Sequence, residues 1–117
     1  MLNELAEEIR KNSIEKSFHI EEKSTGEVLA IIHSEVSGAL LADMEGAYCR
    51  SLMVEEMMVD EFYTDHEDSF GFSYETEIQD SFEDKLACAI IQILGLAASK
   101  GIDIDSHIQV RMKYNRL

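Results

Sequence analysis

The side chains that most often do chemistry are few and widely spaced in this chain. It has two cysteines, Cys49 and Cys88, and four histidines. The cysteines have neither the spacing of a zinc motif nor the number of a disulfide framework, so the sequence favours reduced thiols. For Cys88 we favour a small buried residue over a soft metal ligand or a reactive thiol, because no second cysteine or histidine lies at ligand spacing.

The histidines also stand apart from one another. His33 could be a general base, but a histidine beside the core, satisfied or partly exposed, is the commoner case for one on an apolar helix. His19, His66 and His107 are scattered, and we predict that they lie on the surface. The histidines therefore do not indicate a catalytic or metal-binding group.

A segment rich in acidic and aromatic residues runs from 60 to 77. Its acidic residues could bind Ca²⁺, but the central glycine and terminal glutamate of an EF-hand are not at their required spacing, so we favour a solvated charge run. Just before it, Met53, Met57 and Met58 form a cluster. A core or subunit contact is favoured for these methionines over a ligand-adaptable surface.

The charge of the chain limits its partners. Among 117 residues, 24 are Asp or Glu and 10 are Lys or Arg, which gives a formal charge of −14. A surface this negative repels phosphate backbones and anionic lipids, so neither a nucleic acid nor a membrane is expected as a partner. With no apolar run of membrane-spanning length and no signal-peptide core, we expect a cytoplasmic protein.

The composition favours long helices around one core. Hydrophobic residues make up 45% of the chain and proline is absent, so helices can run without interruption. Apolar spacing predicts a first helix from Leu2 to Ile14 or beyond and a second, capped by Ser24 or Thr25, that continues to about Met44. Gly46 is a suitable end for the second helix.

The second half of the chain has two further strong helical signals. A helix begins near Asp80 or Ser81, is apolar nearly all round, and ends at Lys100 and Gly101. A last helix follows, capped by Asp103 or Asp105. Such an apolar helix must be buried on most sides, either within the bundle or at a subunit interface.

We interpret 47–79 as an inserted excursion within a single domain that spans 1–117. A short helix or a partner-facing segment is expected around 52–59. Residues 70–74 alternate aromatic and small side chains, which predicts an exposed strand or hairpin arm. The expected fold is all-α, a bundle of four to five helices.

Three stretches resemble the MazG-like, all-α nucleoside triphosphate pyrophosphohydrolases. They are LAIIHSEVSGAL at 29–40, DSFEDKLAC at 80–88 continuing through LAA at 96–98 to GIDI at 101–104, and MKYNR at 112–116. The resemblance implies a MazG-like helical bundle whose core is completed by forming a homodimer or homotetramer. It also implies hydrolysis of an NTP or dNTP to a monophosphate and pyrophosphate, with Mg²⁺ as the cofactor.

The family holds its metal with an ExxE and an ExxD motif on two helices. Carboxylates three residues apart share a helix face, and four of them can hold Mg²⁺ against the triphosphate. In this chain Glu35 matches the first acid, but the other three motif positions are Gly38, Lys85 and Cys88. One motif carboxylate therefore remains, a lysine occupies another motif position, and no catalytic residue can be assigned with this pattern.

We predict that Lys85 replaces the metal and forms an ion pair with Glu35. For Glu35 this structural role is favoured over that of a surviving metal ligand. If the pair is buried, losing one partner would cost roughly 3–5 kcal/mol. Near the end of the chain, Lys113, Asn115 and Arg116 could bind a substrate phosphate, and a frayed helix end is an equal alternative.

These observations leave three functional hypotheses open. The first is an active pyrophosphohydrolase with a rearranged site, which would recruit acids such as Asp43, Glu83 or Asp84. The second is an inactive relative that binds a nucleotide or a protein. The third is a purely structural helical protein. The lost carboxylates favour reduced or absent activity.

Overall fold

The computed structural model describes residues 1–15, 23–59 and 66–117. All regular elements in these ranges are helices, which confirms the all-α prediction. They are α1 (Leu2–Glu15), α2 (Thr25–Glu45), α3 (Ser51–Val59), α4 (Glu67–Glu77), α5 (Phe82–Ser99) and α6 (Ile104–Asn115). The chain divides into two compact units, one of Met1–His33 with Cys88–Leu117 and one of Ser34–Ala87.

Helix α2 begins and ends as its sequence predicts. The Ser24 hydroxyl accepts a hydrogen bond from the Glu27 amide at 3.1 Å, and the Glu27 carboxylate accepts one from the Ser24 amide at 3.4 Å. This reciprocal pair is a capping box, which satisfies two amides that the helix itself leaves without partners. At the other end Gly46 has a φ of 70° and the Ala47 amide donates to the Ala42 carbonyl at 2.8 Å. A glycine adopts this left-handed turn without steric cost.

In the first unit, two aspartates join the starts of α1 and α6. Asp103 caps α6 by accepting from the Ser106 amide at 3.1 Å. The Asp105 carboxylate instead caps α1, accepting from the amides of Leu2 and Asn3 at 3.0 and 2.9 Å. Asn3 completes the arrangement, because its side chain donates to Asp103 at 2.8 Å and accepts from the Asp105 amide at 3.2 Å. Either aspartate was a candidate cap for α6, and the structure assigns that role to Asp103.

Small residues dominate the buried positions of both units. In the first unit the buried apolar residues are Ala6, Val28, Ala89, Leu94 and Ala97. In the second they are Ala39, Ala42 and Met57. Many larger apolar side chains are exposed instead. On α5 these are Leu86, Ile90, Ile91 and Ile93, between 42% and 53% exposed. The apolar character of α5 is therefore only partly buried within one chain.

The strand predicted for residues 70–74 is wrong, because these residues lie within α4. The alternating pattern has a period of two, but Phe70 and Tyr74 are also four residues apart, which places them on one face of a helix. Glu67 and Asp68 occupy the first turn of α4, where acidic side chains stabilise the positive end of the helix dipole. This additional helix gives six in the described residues, where four to five are expected.

Two predictions fall outside the described ranges: the surface position of His19 and the solvated character of acidic residues 60–65. Within the described ranges, no single helix has both the length and the apolar composition of a membrane span. Taken together, α5 and α6 meet that criterion, with a bend of 114° at the break between them.

Candidate functional site

The structure brings together Glu35, Lys85 and a third residue, Asp80, in the Ser34–Ala87 unit. The Lys85 ammonium lies 3.5 Å from Oε2 of Glu35 and 3.3 Å from Oδ1 of Asp80. About a quarter of each of the Lys85 and Glu35 side chains is exposed, whereas Asp80 is largely exposed. We call these three residues the ion-pair cluster.

Gly38 is part of the reason that Lys85 reaches Glu35. A Cβ atom at position 38 would come within 3.0 Å of Cδ and Cε of Lys85. The lysine tail therefore occupies the space that a side chain at position 38 would need. Gly38 and Lys85, which occupy two of the motif positions, are therefore sterically coupled.

Glu35 is less well satisfied than Lys85. Its Oε2 atom is buried and accepts no hydrogen bond in the described part of the chain. At 3.5 Å its contact with Lys85 is long for a hydrogen bond, so the attraction is that of an ion pair. A hydrogen bond from Lys85 to Asp80, helped by the charges of both carboxylates, raises the pKa of Lys85 against the lowering effect of partial burial.

The donor set of the ion-pair cluster does not fit a divalent cation such as Mg²⁺. Mg²⁺ prefers about six oxygen ligands in octahedral geometry. Here two carboxylates already face a protonated lysine, and no grouping of three His, Cys, Asp or Glu residues suited to a metal occurs in the described ranges. A metal that entered would have to displace the ammonium group.

The other residues that the sequence singled out are mostly exposed or half-buried. Cys88 lies on α5, one turn after Lys85, and is half-buried. His33, His66 and His107 are exposed, as predicted for the last two. Lys113, Asn115 and Arg116 are also exposed, at the end of α6. Of the methionines, Met57 is buried, Met53 is half-buried and Met58 is 79% exposed.

The second unit also contains a cavity that sequence reasoning missed. It has a volume of about 600 Å³, and apolar atoms form nearly all of its surface. Its lining residues are Cys49, Val54, Met57, Met58, Phe70, Tyr74, Ile78, Glu83, Asp84 and Ala87. The helical spacing of Val54 with Met58 and of Phe70 with Tyr74 was the available signal, but the strand prediction for 70–74 obscured it.

Hydrogen bonds fix one side of this cavity. The Tyr74 hydroxyl donates to Asp84, a residue only 8% exposed, and the Asp80 amide donates to the same carboxylate at 3.1 Å. The Ser81 hydroxyl caps α5 by accepting from the Asp84 amide at 3.2 Å. Asp84 is thus held by α4 and by the start of α5, so it is an ordered part of the wall.

Cys49 is the only thiol among the lining residues. Burial raises its pKa, and its own amide donates to the Glu83 carboxylate at 3.2 Å. A thiol with a raised pKa is protonated at neutral pH, and the thiolate is the nucleophilic form. The position therefore favours packing over covalent chemistry.

No protein-family model, no curated protein and no solved structure matches this chain.

Proposed function

We propose that this chain is a MazG-like helical module without a working divalent-cation site, which acts by assembling with itself and not by hydrolysing nucleoside triphosphates. The observation that carries the proposal is the 3.5 Å contact between Lys85 and Glu35. In the family that the chain resembles, carboxylates occupy both of these motif positions. Here one of them provides a cation that neutralises the other.

Charge explains why this arrangement opposes a metal. A Mg²⁺ ion beside Glu35 would also lie beside the Lys85 ammonium, because the two side chains are in contact. The raised pKa of Lys85 keeps that ammonium charged at neutral pH. Like charges at such distances repel strongly in a partly buried site. Without the ion, the triphosphate of a substrate would meet Glu35 and Asp80 with no metal between them.

Exposed apolar faces support the self-assembly. In the Ser34–Ala87 unit, Val36, Leu40 and Met44 follow one another along α2 at a spacing of four residues and are between 53% and 74% exposed. Exposed apolar residues on one helix face are typical of interaction sites in soluble proteins. A second copy of the same chain is the simplest partner, and the proposed assembly is a homodimer or homotetramer.

Incubation of the purified chain with a panel of NTPs and dNTPs tests the proposal. Pyrophosphate release is followed in the presence of Mg²⁺ or Mn²⁺. The expected result is no turnover, and a rate above about 0.1 s⁻¹ would contradict the proposal, since ordinary enzymes turn over at 1 s⁻¹ or more. The same preparation should have the mass of a dimer or tetramer by light scattering, and a monomer would rule out the self-assembly.

Glu35→Gln is the matched control for any rate that is measured. This substitution keeps the shape of the side chain and removes its charge. A rate that falls with Glu35→Gln belongs to this chain and overturns the proposal. A rate that persists unchanged does not depend on Glu35, and it still contradicts the proposal if it co-purifies with the chain in constant proportion.

A further inference from the structure

We propose that the cavity of the Ser34–Ala87 unit is a binding site for an uncharged, ring-containing apolar small molecule. All of its lining residues belong to this unit. The inference does not rest on the proposed function, because Lys85, Glu35 and Gly38 are not among the lining residues. It concerns an uncharged apolar ligand, whereas a nucleotide is polar and negatively charged.

The size and surface of the cavity suit a small molecule. Its volume of about 600 Å³ lies within the range of about 300–1,000 Å³ that is typical of ligand sites. Val54, Met57 and Ile78 contribute aliphatic walls, and Phe70 and Tyr74 contribute rings. Displacing water from such a surface favours an apolar occupant.

The charges of the lining residues select against an anion. Glu83 and Asp84 are acidic, and there is no lysine, arginine or histidine among the described residues that line the cavity. Asp84 already accepts hydrogen bonds from Tyr74 and from the Asp80 amide. A carboxylate, sulfonate or phosphate placed here would be desolvated beside two acids, and the described lining offers it no compensating cation.

The side chains that line the cavity favour a ring-containing ligand over a flexible aliphatic one. Met57 and Met58 are unbranched and polarisable, so they can adapt to a ring and make sulfur–aromatic contacts. Phe70 and Tyr74 can stack or meet another ring edge to face. The Tyr74 hydroxyl donates to Asp84, and Tyr74 is one of the two aromatic residues of the lining.

Two fluorescent probes with the same ring system test both the site and its charge selection. N-phenyl-1-naphthylamine is uncharged, and 8-anilinonaphthalene-1-sulfonate differs from it by one sulfonate. We expect the neutral probe to bind saturably at one molecule per chain, with an affinity at least about tenfold above that of the sulfonate. Equal affinities, or tighter binding of the sulfonate, would overturn the proposal.

The location of the probe is tested by filling the cavity. Val54→Phe adds volume to a lining position of α3 and should weaken binding of the neutral probe by about tenfold or more. Val110→Phe makes the same change on α6, in the other unit and at a position 66% exposed, and should leave binding unchanged. Equal effects of the two substitutions would mean that the probe binds to exposed apolar surface and not in the cavity.

A second measurement remains decisive if Val54→Phe does not fold. In a Cys88→Ala background Cys49 is the only thiol, and the neutral probe should slow its alkylation by iodoacetamide in a saturable manner. Unprotected Cys49 at saturating probe would contradict the proposal. Probe binding that disappears as the chain self-associates would also contradict it, because a second copy would then be the occupant.

Discussion

Two groups of carboxylates in this chain have different kinds of partner. Asp103 and Asp105 accept hydrogen bonds from backbone amides at the starts of α6 and α1, at 2.9–3.1 Å. In the ion-pair cluster, Glu35 meets a single ammonium group at 3.5 Å, and its buried Oε2 accepts no hydrogen bond in the described residues. Each aspartate of the first pair accepts main-chain hydrogen bonds, to which Asn3 and the Ser106 hydroxyl add side-chain donors at Asp103, whereas Glu35 depends on one side chain.

This difference shows how the same residue type acquires different roles. Amides at a helix start are present whatever the side chains are, so an aspartate there is a cap in almost any sequence context. The partner of Glu35 exists only because position 85 is a lysine and position 38 leaves room for it. A substitution at position 38 or 85 should therefore disturb the ion-pair cluster, whereas the capping aspartates should depend less on any one neighbouring side chain.

The largest effect is expected from Lys85→Ala. It leaves Glu35 partly buried without a cation and should lower the free energy of unfolding by about 1–3 kcal/mol. This is less than the cost for a fully buried pair, because about a quarter of each side chain is exposed. Denaturation by urea, followed by circular dichroism, measures the loss.

Lys85→Met and Lys113→Ala are the controls for that measurement. Lys85→Met keeps most of the aliphatic tail over Gly38 and should lose less stability than Lys85→Ala. Lys113 is exposed on α6, and its replacement by alanine should change little. If Lys85→Ala is as stable as the natural chain, the ion pair has no structural role.

A smaller effect is expected from Gly38→Ala, and its sign should depend on position 85. Alanine favours a helix over glycine by about 1 kcal/mol, but its Cβ would lie 3.0 Å from the Lys85 tail. In the natural chain these effects should nearly cancel. In a Lys85→Ala background the tail is absent, so Gly38→Ala should stabilise the protein by about 1 kcal/mol. Equal effects in both backgrounds, measured as a double-mutant cycle, would mean that the two positions are not coupled.

Helix ends show how much of this fold the sequence determines locally. Ser24 is one of the two predicted caps of α2 and forms a capping box with Glu27, and Gly46 ends α2 as expected. Ser81 and Asp84 have the same spacing, and Ser81 does cap α5. Asp84, however, accepts from Tyr74 and from the Asp80 amide. The competing donor comes from α4, and the sequence predicts a strand there.

The candidate site was also predictable only in part, because residue spacing indicates some of its contacts and tertiary packing determines the others. Sequence reasoning named Glu35 and Lys85 as partners, and the structure places them in contact. It did not name Asp80, which has a φ of 66° just before α5. This conformation is uncommon for a residue other than glycine and has no signature in residue spacing. The cavity was missed because its described walls come from three helices and from Cys49 and Ile78 outside them, which only tertiary packing brings together.

The smallest expected effect concerns the acid side of the stability profile and the capping aspartates. Hydrogen bonds from the Asn3 side chain, then from the hydroxyl and amide of Ser106, lower the pKa of Asp103 from 3.8 to about 2. Because the folded-state pKa is below the unfolded value, the stabilisation is present above about pH 4 and is lost as the pH falls towards 2. Asp103→Asn should keep a capping oxygen but flatten the fall of the melting temperature at acid pH, measured by circular dichroism between pH 7 and pH 2.

Asp103→Ala should flatten this acid limb of the profile as well and also lower the melting temperature at pH 7, because the cap itself is lost. An acid limb that survives unchanged in Asp103→Asn would show that this carboxylate is not its source, and the contrast with the ion-pair cluster would then have to rest on Asp105 alone.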